Sequence, residues 1–219
     1  PGVIIIKTDF VYIVKLQYLG FRFSGWAKNR DVKTVHQMID KTLDYILGGR
    51  RYKTTGCSRT DAMVSANTYI MQLMVEREIQ CADFMEQFNL NLPPDIRVLS
   101  IDNAEQGFSV IKSVKEKEYV YLFTCHKSFH PFAAPVMAYF RDNLDIPLMQ
   151  EGAKLFIGEH DFINYCTAPS QNVNSIRVVT RSEIVENGEY TASFFPEKSY
   201  LYRVCSRGFM HNQVRLMVG

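Results

Sequence analysis

Residues 52–76 read YKTTGCSRTDAMVSANTYIMQLMVE, and this stretch decides which kind of fold the chain can adopt. Its two ends, YKTTGC and ANTYIMQLMVE, are rich in the β-branched and aromatic residues that are typical of strands. Between them lies a run of small and polar residues that contains Arg59 and Asp61. We therefore predict two strands joined by a charged loop, which is either a surface turn or a place where a carboxylate is held for chemistry.

The segments around this stretch alternate between strand and helix patterns. FVYIVKLQY (10–18) predicts a buried strand, beside which the second strand of the quoted stretch can pair. Apolar residues recur at helical spacing after Thr34, and Gly48-Gly49 provides a C-terminal stop. ADFMEQFNL (82–90) predicts a second helix, which the two prolines of NLPPD end, and IRVLSID (96–102) predicts another strand.

The pattern changes at DNAEQGF (102–108), where we place the boundary between two α/β lobes, residues 1–105 and 106–219. The second lobe is predicted to hold a strand near 117–125, a helical segment at 147–158, a strand at 200–209 and a short helix from residue 210. Asn187-Gly188, between IRVVTRSEIVE and EYTASFFP, predicts a β-hairpin. The fold class is therefore α+β, with mixed or antiparallel sheets.

Composition fits a globular protein and excludes several classes. The chain has 219 residues, of which 47% are hydrophobic, so it can bury a substantial core. Its apolar runs are too short for a membrane span, and its N-terminal residues do not form an export signal. The five cysteines are dispersed, without metal-ligand spacing, which indicates a reducing compartment. The net charge of +2 permits an anionic partner without requiring one.

Seven separated motifs, in a fixed order, resemble those of the TruA-type tRNA pseudouridine synthases. They are Tyr18-Leu19-Gly20 with Phe23-Ser24-Gly25-Trp26; Thr34-Val35; Ser58-Arg59-Thr60-Asp61-Ala62-Met63-Val64-Ser65-Ala66; Asn89 with Leu92-Pro93 and Asp95-Ile96; Tyr119-Val120-Tyr121; Gly158-Glu159-His160-Asp161-Phe162; and Phe209 with Val214-Arg215 and Val218-Gly219. Each motif alone is weak evidence. Their shared order along nearly the whole chain is strong evidence, because independent coincidences multiply.

The chain departs from the common pattern of this family at four positions. Ser58 and Met63 stand where the signature has glycine, Ser65 where bacterial members usually have histidine, and Ala27 where glutamine is usual. The Arg-Thr-Asp core of the signature is intact. The departures therefore bear on substrate position and lineage more than on the chemistry.

The resemblance implies a pseudouridine synthase fold with an active-site cleft between its lobes, and an isomerase that converts uridine in tRNA to pseudouridine. Asp61 is the implied nucleophile or base, and Arg215 is its implied ion-pair partner. Tyr119 is implied to stack on the flipped base, and Arg59 to help flip it or to contact the RNA backbone. This redox-neutral reaction needs no cofactor and no metal, in agreement with the motifs that the sequence lacks.

The implied partners are tRNA and a second copy of the chain in a homodimer, and the expected compartment is the cytoplasm, with nucleus or organelle left open. The cations nearest the implied site by loop position are Lys28, Arg30, Lys112, Lys115 and Lys117, which we expect to bind RNA. The sequence ends within the pattern of its last helix, so we expect further C-terminal residues in the whole protein.

Other interpretations remain open at this point. The scaffold can belong to an RNA-binding or RNA-folding protein without turnover, or to an unrelated carboxylate hydrolase that needs no RNA. Asp61 can be an ordinary turn residue, and strand packing explains Tyr119 and Tyr121 equally well. The adjacent His160 and Asp161 are a weak candidate for a catalytic dyad. For the aromatic loop at Phe21, Phe23 and Trp26, packing is the favoured interpretation over base stacking.

Overall fold

The structure is a computed structural model that describes residues 10–169 and 174–219. It contains two compact units, of which the first ends at Val114 and the second begins at Lys115. The predicted boundary after residue 105 lies within the segment that leads to the last helix of the first unit.

The elements of the first unit are β1 (Phe10–Tyr18), α1 (Val35–Leu47), β2 (Tyr52–Gly56), β3 (Ala66–Val75), α2 (Cys81–Asn91), β4 (Ile96–Asn103) and the one-turn α3 (Val110–Ser113). Those of the second unit are β5 (Lys117–Thr124), β6 (Ala138–Tyr139), α4 (Ile146–Lys154), β7 (Gly158–Asp161), β8 (Ile176–Glu186), β9 (Tyr200–Ser206) and α5 (Gln213–Val218). Single 3₁₀ turns occur at Pro131–Ala133 and Ile163–Tyr165. The α+β class is confirmed.

The first unit is built on an antiparallel sheet of four strands in the order β2-β3-β1-β4. The predicted pairing of the first strand with the segment after the charged loop is confirmed, with Val14 opposite Met71. Alternate residues of β1 and β3 point into one core, where Val14, Leu16 and Met71 are fully buried. This alternation anchors β3, the strand that follows the charged loop, in the core of the first unit.

Helix α1 packs its apolar stripe on that sheet. It begins with a capping box, in which the backbone N–H of Gln37 donates to Thr34 Oγ1 at 3.3 Å and the backbone N–H of Thr34 donates to Gln37 Oε1 at 3.0 Å. It ends at Gly48, whose φ of 57° is in the left-handed region. The predicted helix and both of its ends are confirmed.

A buried glutamine fixes the segment before α3. Gln72 is 7% exposed, and its Nε2 donates to the carbonyl of Phe108 at 2.9 Å. Its Oε1 accepts from the backbone N–H of Val110 at 3.1 Å. Because the NH₂ and the oxygen of a buried side-chain amide both need hydrogen-bond partners, Gln72 holds α3 against β2 and β3.

The second unit contains a mixed sheet of five strands in the order β6-β5-β9-β8-β7, in which β5 and β6 are parallel and the other pairs antiparallel. Its core gathers Phe123, Phe162 and Val204. Helix α4 lies on β8, where Gln150 Nε2 donates to the carbonyl of Ile184 at 2.9 Å. The predicted helix at 147–158 is shorter than expected, since it ends at Lys154.

The predicted hairpin at Asn187-Gly188 is wrong in its second strand. β8 does turn at Asn187, whose Oδ1 accepts from the backbone N–H of Tyr190 at 2.9 Å. The residues up to Ser199 form no strand, and β8 pairs instead with β9. The Asn187 side chain closes a compact turn that directs the chain away from β8, so the partner strand begins only at Tyr200. The short helix predicted from residue 210 is present as α5.

Within the described ranges, no helix combines the length and apolarity that crossing a membrane requires.

Candidate active site

The charged loop, residues 57–65, joins β2 to β3 and is tied to β3 at its base. The backbone N–H of Cys57 donates to the carbonyl of Ile70 at 2.9 Å, which continues the ladder by one residue. The hydroxyl of Tyr69 donates to the carbonyl of Ser58. Tyr69 is 3% exposed, and burial raises the pKa of its hydroxyl, so this group stays a neutral donor.

The loop docks on a second loop, residues 19–26, which contains the predicted aromatic motif. Three hydrogen bonds join the two loops: Met63 N–H to the Phe23 carbonyl at 2.9 Å, Trp26 N–H to the Thr60 carbonyl at 3.3 Å, and Gly20 N–H to Ser65 Oγ at 2.9 Å. The bonds reach the charged loop before, within and after its central turn. Two motifs whose bonded residues lie up to 45 positions apart in sequence are therefore one structural unit.

Two glycines allow the loops to come this close. A Cβ on Gly25 would overlap the carbonyl oxygen of Thr60, and a Cβ on Gly20 would overlap that of Val64. Gly25 also has a φ of 85°, which an L side chain rarely adopts. Glycine is required at both positions because the backbone of the charged loop occupies the space of a side chain.

Stacked aromatic rings support the docked loops from below. Trp26 stacks on Tyr69 with ring centroids 4.0 Å apart, and His36 also stacks on Trp26, at 5.1 Å. Phe23 and Trp26 are 2% and 3% exposed, so the packing interpretation is confirmed for both. It is wrong for Phe21, which is 44% exposed.

Asp61 and Arg59 lie at the outer part of the charged loop. Asp61 is half-buried and Arg59 is exposed, while the Thr60 side chain between them reaches inward to the Tyr18 hydroxyl at 3.2 Å. The carbonyl of Asp61 accepts from Val64 N–H at 3.3 Å, which closes a tight turn. Because the Thr60 side chain is held inward by Tyr18, the backbone that carries Arg59 and Asp61 is anchored between these two residues.

Met63 carries backbone strain within this turn. Its φ of 66° is in the left-handed region, at the third position of the turn, where glycine is favoured. This is the signature position at which the family has glycine, so the geometry is retained although the residue has changed. The side chain of Met63 is half in solvent, with 50% exposure, and gives little packing in return.

The other two predicted catalytic residues belong to the second unit. Tyr119 is half-buried on β5 and meets Phe209 edge-on, with ring centroids 5.1 Å apart. Arg215 is exposed on α5. Burial raises the pKa of the Tyr121 hydroxyl, and the charge of Arg215 opposes that rise.

The predicted RNA-binding cations differ in their surroundings. Lys28 is paired with Asp40. Arg30, Lys112 and Lys115 are exposed, and Lys117 is half-buried at the start of β5. The weak His160–Asp161 dyad is not supported, since His160 Nε2 bonds the Ile157 carbonyl at 3.0 Å and Asp161 Oδ1 accepts from Ile163 N–H at 3.0 Å.

Sequence reasoning missed Tyr69 and the two docking glycines as parts of the site. One sequence feature could have indicated Tyr69: it is one of the alternate residues of β3 whose side chains point into the core. For Gly20 and Gly25, the sequence showed only that both belong to a family motif. In the part of the chain that the structure describes, no three His, Cys, Asp or Glu side chains are grouped so as to hold a metal ion.

The class of protein follows from comparison with known families. Residues 153–219 match the family described as tRNA pseudouridine synthase. Together with the relatives described next, this match confirms the expected resemblance to the TruA-type tRNA pseudouridine synthases.

Individual relatives extend the similarity over nearly the whole chain. This chain is 28% identical over 210 residues to tRNA pseudouridine synthase A 2 of Bacillus cereus, in an alignment that covers 95% of this chain and 81% of that protein. It is 29% identical over 209 residues to tRNA pseudouridine synthase A of Exiguobacterium sibiricum, with 93% and 77% covered. The corresponding enzyme of Bacillus sp. (strain KSM-64) is 29% identical over 209 residues, with 95% and 82% covered.

Proposed function

We propose that the chain is a tRNA pseudouridine synthase that uses Asp61 to isomerise specific uridines. The observation that carries the proposal is the docked pair of loops, in which the backbone around Arg59 and Asp61 is fixed by three interloop hydrogen bonds and two obligatory glycines. A preorganised carboxylate needs such support, because a small displacement of a reacting group costs much of its effect. The relatives named above support the choice of tRNA as substrate.

In the proposed reaction the bond between C1′ and N1 of the uridine breaks, the uracil turns, and C5 joins C1′. Asp61 acts on the sugar, either as a nucleophile or as a base. Arg59, exposed next to it, contacts the displaced base or the RNA backbone, for which a planar guanidinium is suited. The predicted ion pair of Asp61 with Arg215 is part of the same proposal.

Tyr119 is proposed to stack on the flipped base and thereby to offset the few kcal/mol that unstacking costs. Tyr119→Phe is then expected to keep most of the turnover, and Tyr119→Ala to lose it. Tyr121→Ala, two residues along the same strand face, is the matched control and is expected to be the milder change. Equal losses in both alanine variants would indicate that the pair serves the sheet and not the base.

The remaining parts of the proposal are a homodimeric assembly and a cytoplasmic location, as in the family. All five cysteines are free thiols, which agrees with a reducing compartment. Equilibrium sedimentation tests the assembly, and a monomer at micromolar concentration would contradict it.

The central test is conversion of unmodified tRNA, with pseudouridine quantified by mass spectrometry. The parent and Asp83→Asn, a change on the exposed surface of α2, are expected to give product, and Asp61→Asn is expected to give none. Tight tRNA binding without product from any of the three proteins would instead support an RNA-binding protein without turnover. Cleavage of a small substrate in the absence of RNA would support the hydrolase.

A further inference from the structure

A groove runs along β2, the edge strand of the first sheet. Two open depressions form it, of about 420 and 400 Å³, and both are lined by Lys28 and Thr54. The first extends to Arg59 in the charged loop, and the second extends to Arg50 and Arg51 before the strand. We call this continuous surface the β2 groove.

Three exposed cations line the β2 groove. Arg50, Arg51 and Lys53 are exposed, and no salt bridge within the described ranges involves any of them. Three unpaired positive charges within four residues of sequence repel one another. Such a cluster is stabilised by an anionic partner.

The two carboxylates of the groove offset this cluster only in part. The charge of Asp40 is balanced by Lys28, and its Oδ1 accepts from the Thr54 hydroxyl at 2.8 Å. Asp44 keeps its charge, and its Oδ1 accepts from the Tyr52 hydroxyl at 2.6 Å. One carboxylate thus stands against the three cations Arg50, Arg51 and Lys53, and the groove has a net positive charge.

The geometry of β2 connects the cations to the proposed active site. A strand of five residues spans about 17 Å at roughly 3.3 Å per residue. The unpaired cations lie at its start, and Arg59 lies just beyond its end. At that end, the exposed Ile111 and the Cys57 side chain line the depression and offer an apolar surface to a ribose or base. Each depression has a volume that suits about one nucleotide.

We propose that the β2 groove binds the phosphate backbone of the tRNA strand that continues from the target uridine, with Arg50, Arg51 and Lys53 as the phosphate contacts. The proposal rests on the proposed function in taking tRNA as the partner. Arginine binds phosphate through two parallel hydrogen bonds. Cations at the start of β2 and Arg59 beyond its end can contact separate phosphates of one RNA strand.

The test measures binding of unmodified tRNA as a function of salt, in an Asp61→Asn background that prevents turnover. The triple variant Arg50→Gln/Arg51→Gln/Lys53→Gln is compared with Arg77→Gln/Arg97→Gln/Lys154→Gln, which removes the same charge from exposed positions elsewhere. We expect the groove variant to bind about tenfold or more weakly, and its slope of log K against log salt to fall by about 2 to 3, since each phosphate contact contributes nearly one. The control is expected to keep the parent's slope.

An unchanged slope in the groove variant, or an equal fall in the control, would overturn the proposal. Pseudouridine formation by the same proteins with Asp61 intact separates this outcome from failure of the proposed function. A parent that forms product while the groove variant keeps its slope leaves the function standing and removes the groove. If the parent forms no product but its tRNA binding still depends on the three cations, the proposed function fails and the groove proposal stands.

Discussion

Gly25 lies directly against the carbonyl oxygen of Thr60, the residue between the two charges of the proposed active site. The adjacent Trp26 N–H donates to the same carbonyl at 3.3 Å, so a hydrogen bond also fixes the position of the Thr60 carbonyl. The charged loop is thus shaped from outside by a neighbouring backbone, and its own turn is only one part of its restraint.

Gly25→Ala is expected to lower the free energy of unfolding by about 3 kcal/mol or more and to abolish most of the activity. The added Cβ meets both an unfavourable backbone angle and the Thr60 backbone, and each contributes about 1 to 3 kcal/mol. Gly107→Ala is the matched control, because Gly107 has a φ of 87° with nothing near its Cβ position. Urea unfolding of both variants isolates the contact. Equal losses would mean that the angle alone matters.

Met63→Gly is expected to stabilise the protein by about 1 kcal/mol, since it removes a side chain from a left-handed backbone position at the cost of little burial. Ala62→Gly, at the preceding position, is expected to destabilise by about 0.5–1 kcal/mol, because there the added flexibility relieves no strain. Thermal unfolding ranks the three proteins. A Met63→Gly variant that melts below the parent would show that the methionine side chain makes a contact worth more than the strain.

Tyr69→Phe is expected to lower stability by about 1 to 2 kcal/mol and also to lower kcat, because it removes the donor that holds the Ser58 carbonyl at the base of the charged loop. Tyr12→Phe is the control. Tyr12 is also buried in this core, and its hydroxyl accepts from Ile79 N–H at 3.1 Å, far along the chain from the charged loop. We expect a similar stability loss in both variants, and a loss of kcat at saturating tRNA only in Tyr69→Phe.

Stability is expected to fall in mildly acidic solution because of His36. Burial lowers the pKa of this imidazole; the nearby Asp40 charge opposes the shift, and Lys28 adds to it. The unfolded chain therefore binds a proton that the folded chain excludes, and stability present above the unfolded pKa of about 6.5 is lost as the pH falls below it. In His36→Gln the loss between about pH 8 and about pH 5.5 should be smaller than in the parent. His130→Gln, at an exposed position, is the control. An unaltered loss in His36→Gln would assign the effect to other groups.

Local sequence patterns were enough to predict helices whose ends carry capping residues. The capping pair at Thr34 and the glycine after Leu47 delimit α1 in sequence and in structure alike. The Asn187-Gly188 signal failed, because a turn dipeptide specifies the turn and not the length of the loop that follows it. The strand partner of β8 is β9, which begins only at Tyr200 and packs Tyr202 and Val204 into the core of the second unit.

Most of the strands and helices, the family resemblance and the candidates Arg59 and Asp61 could be predicted from the sequence, since they follow from short-range patterns and the order of motifs. The folded structure was needed to show why Gly20 and Gly25 are obligatory, why Tyr69 supports the charged loop, and that Arg50, Arg51 and Lys53 share a groove with Arg59. The physical reason is that close approach, burial and unpaired charge are properties of surfaces brought together by folding. No spacing along the chain encodes them.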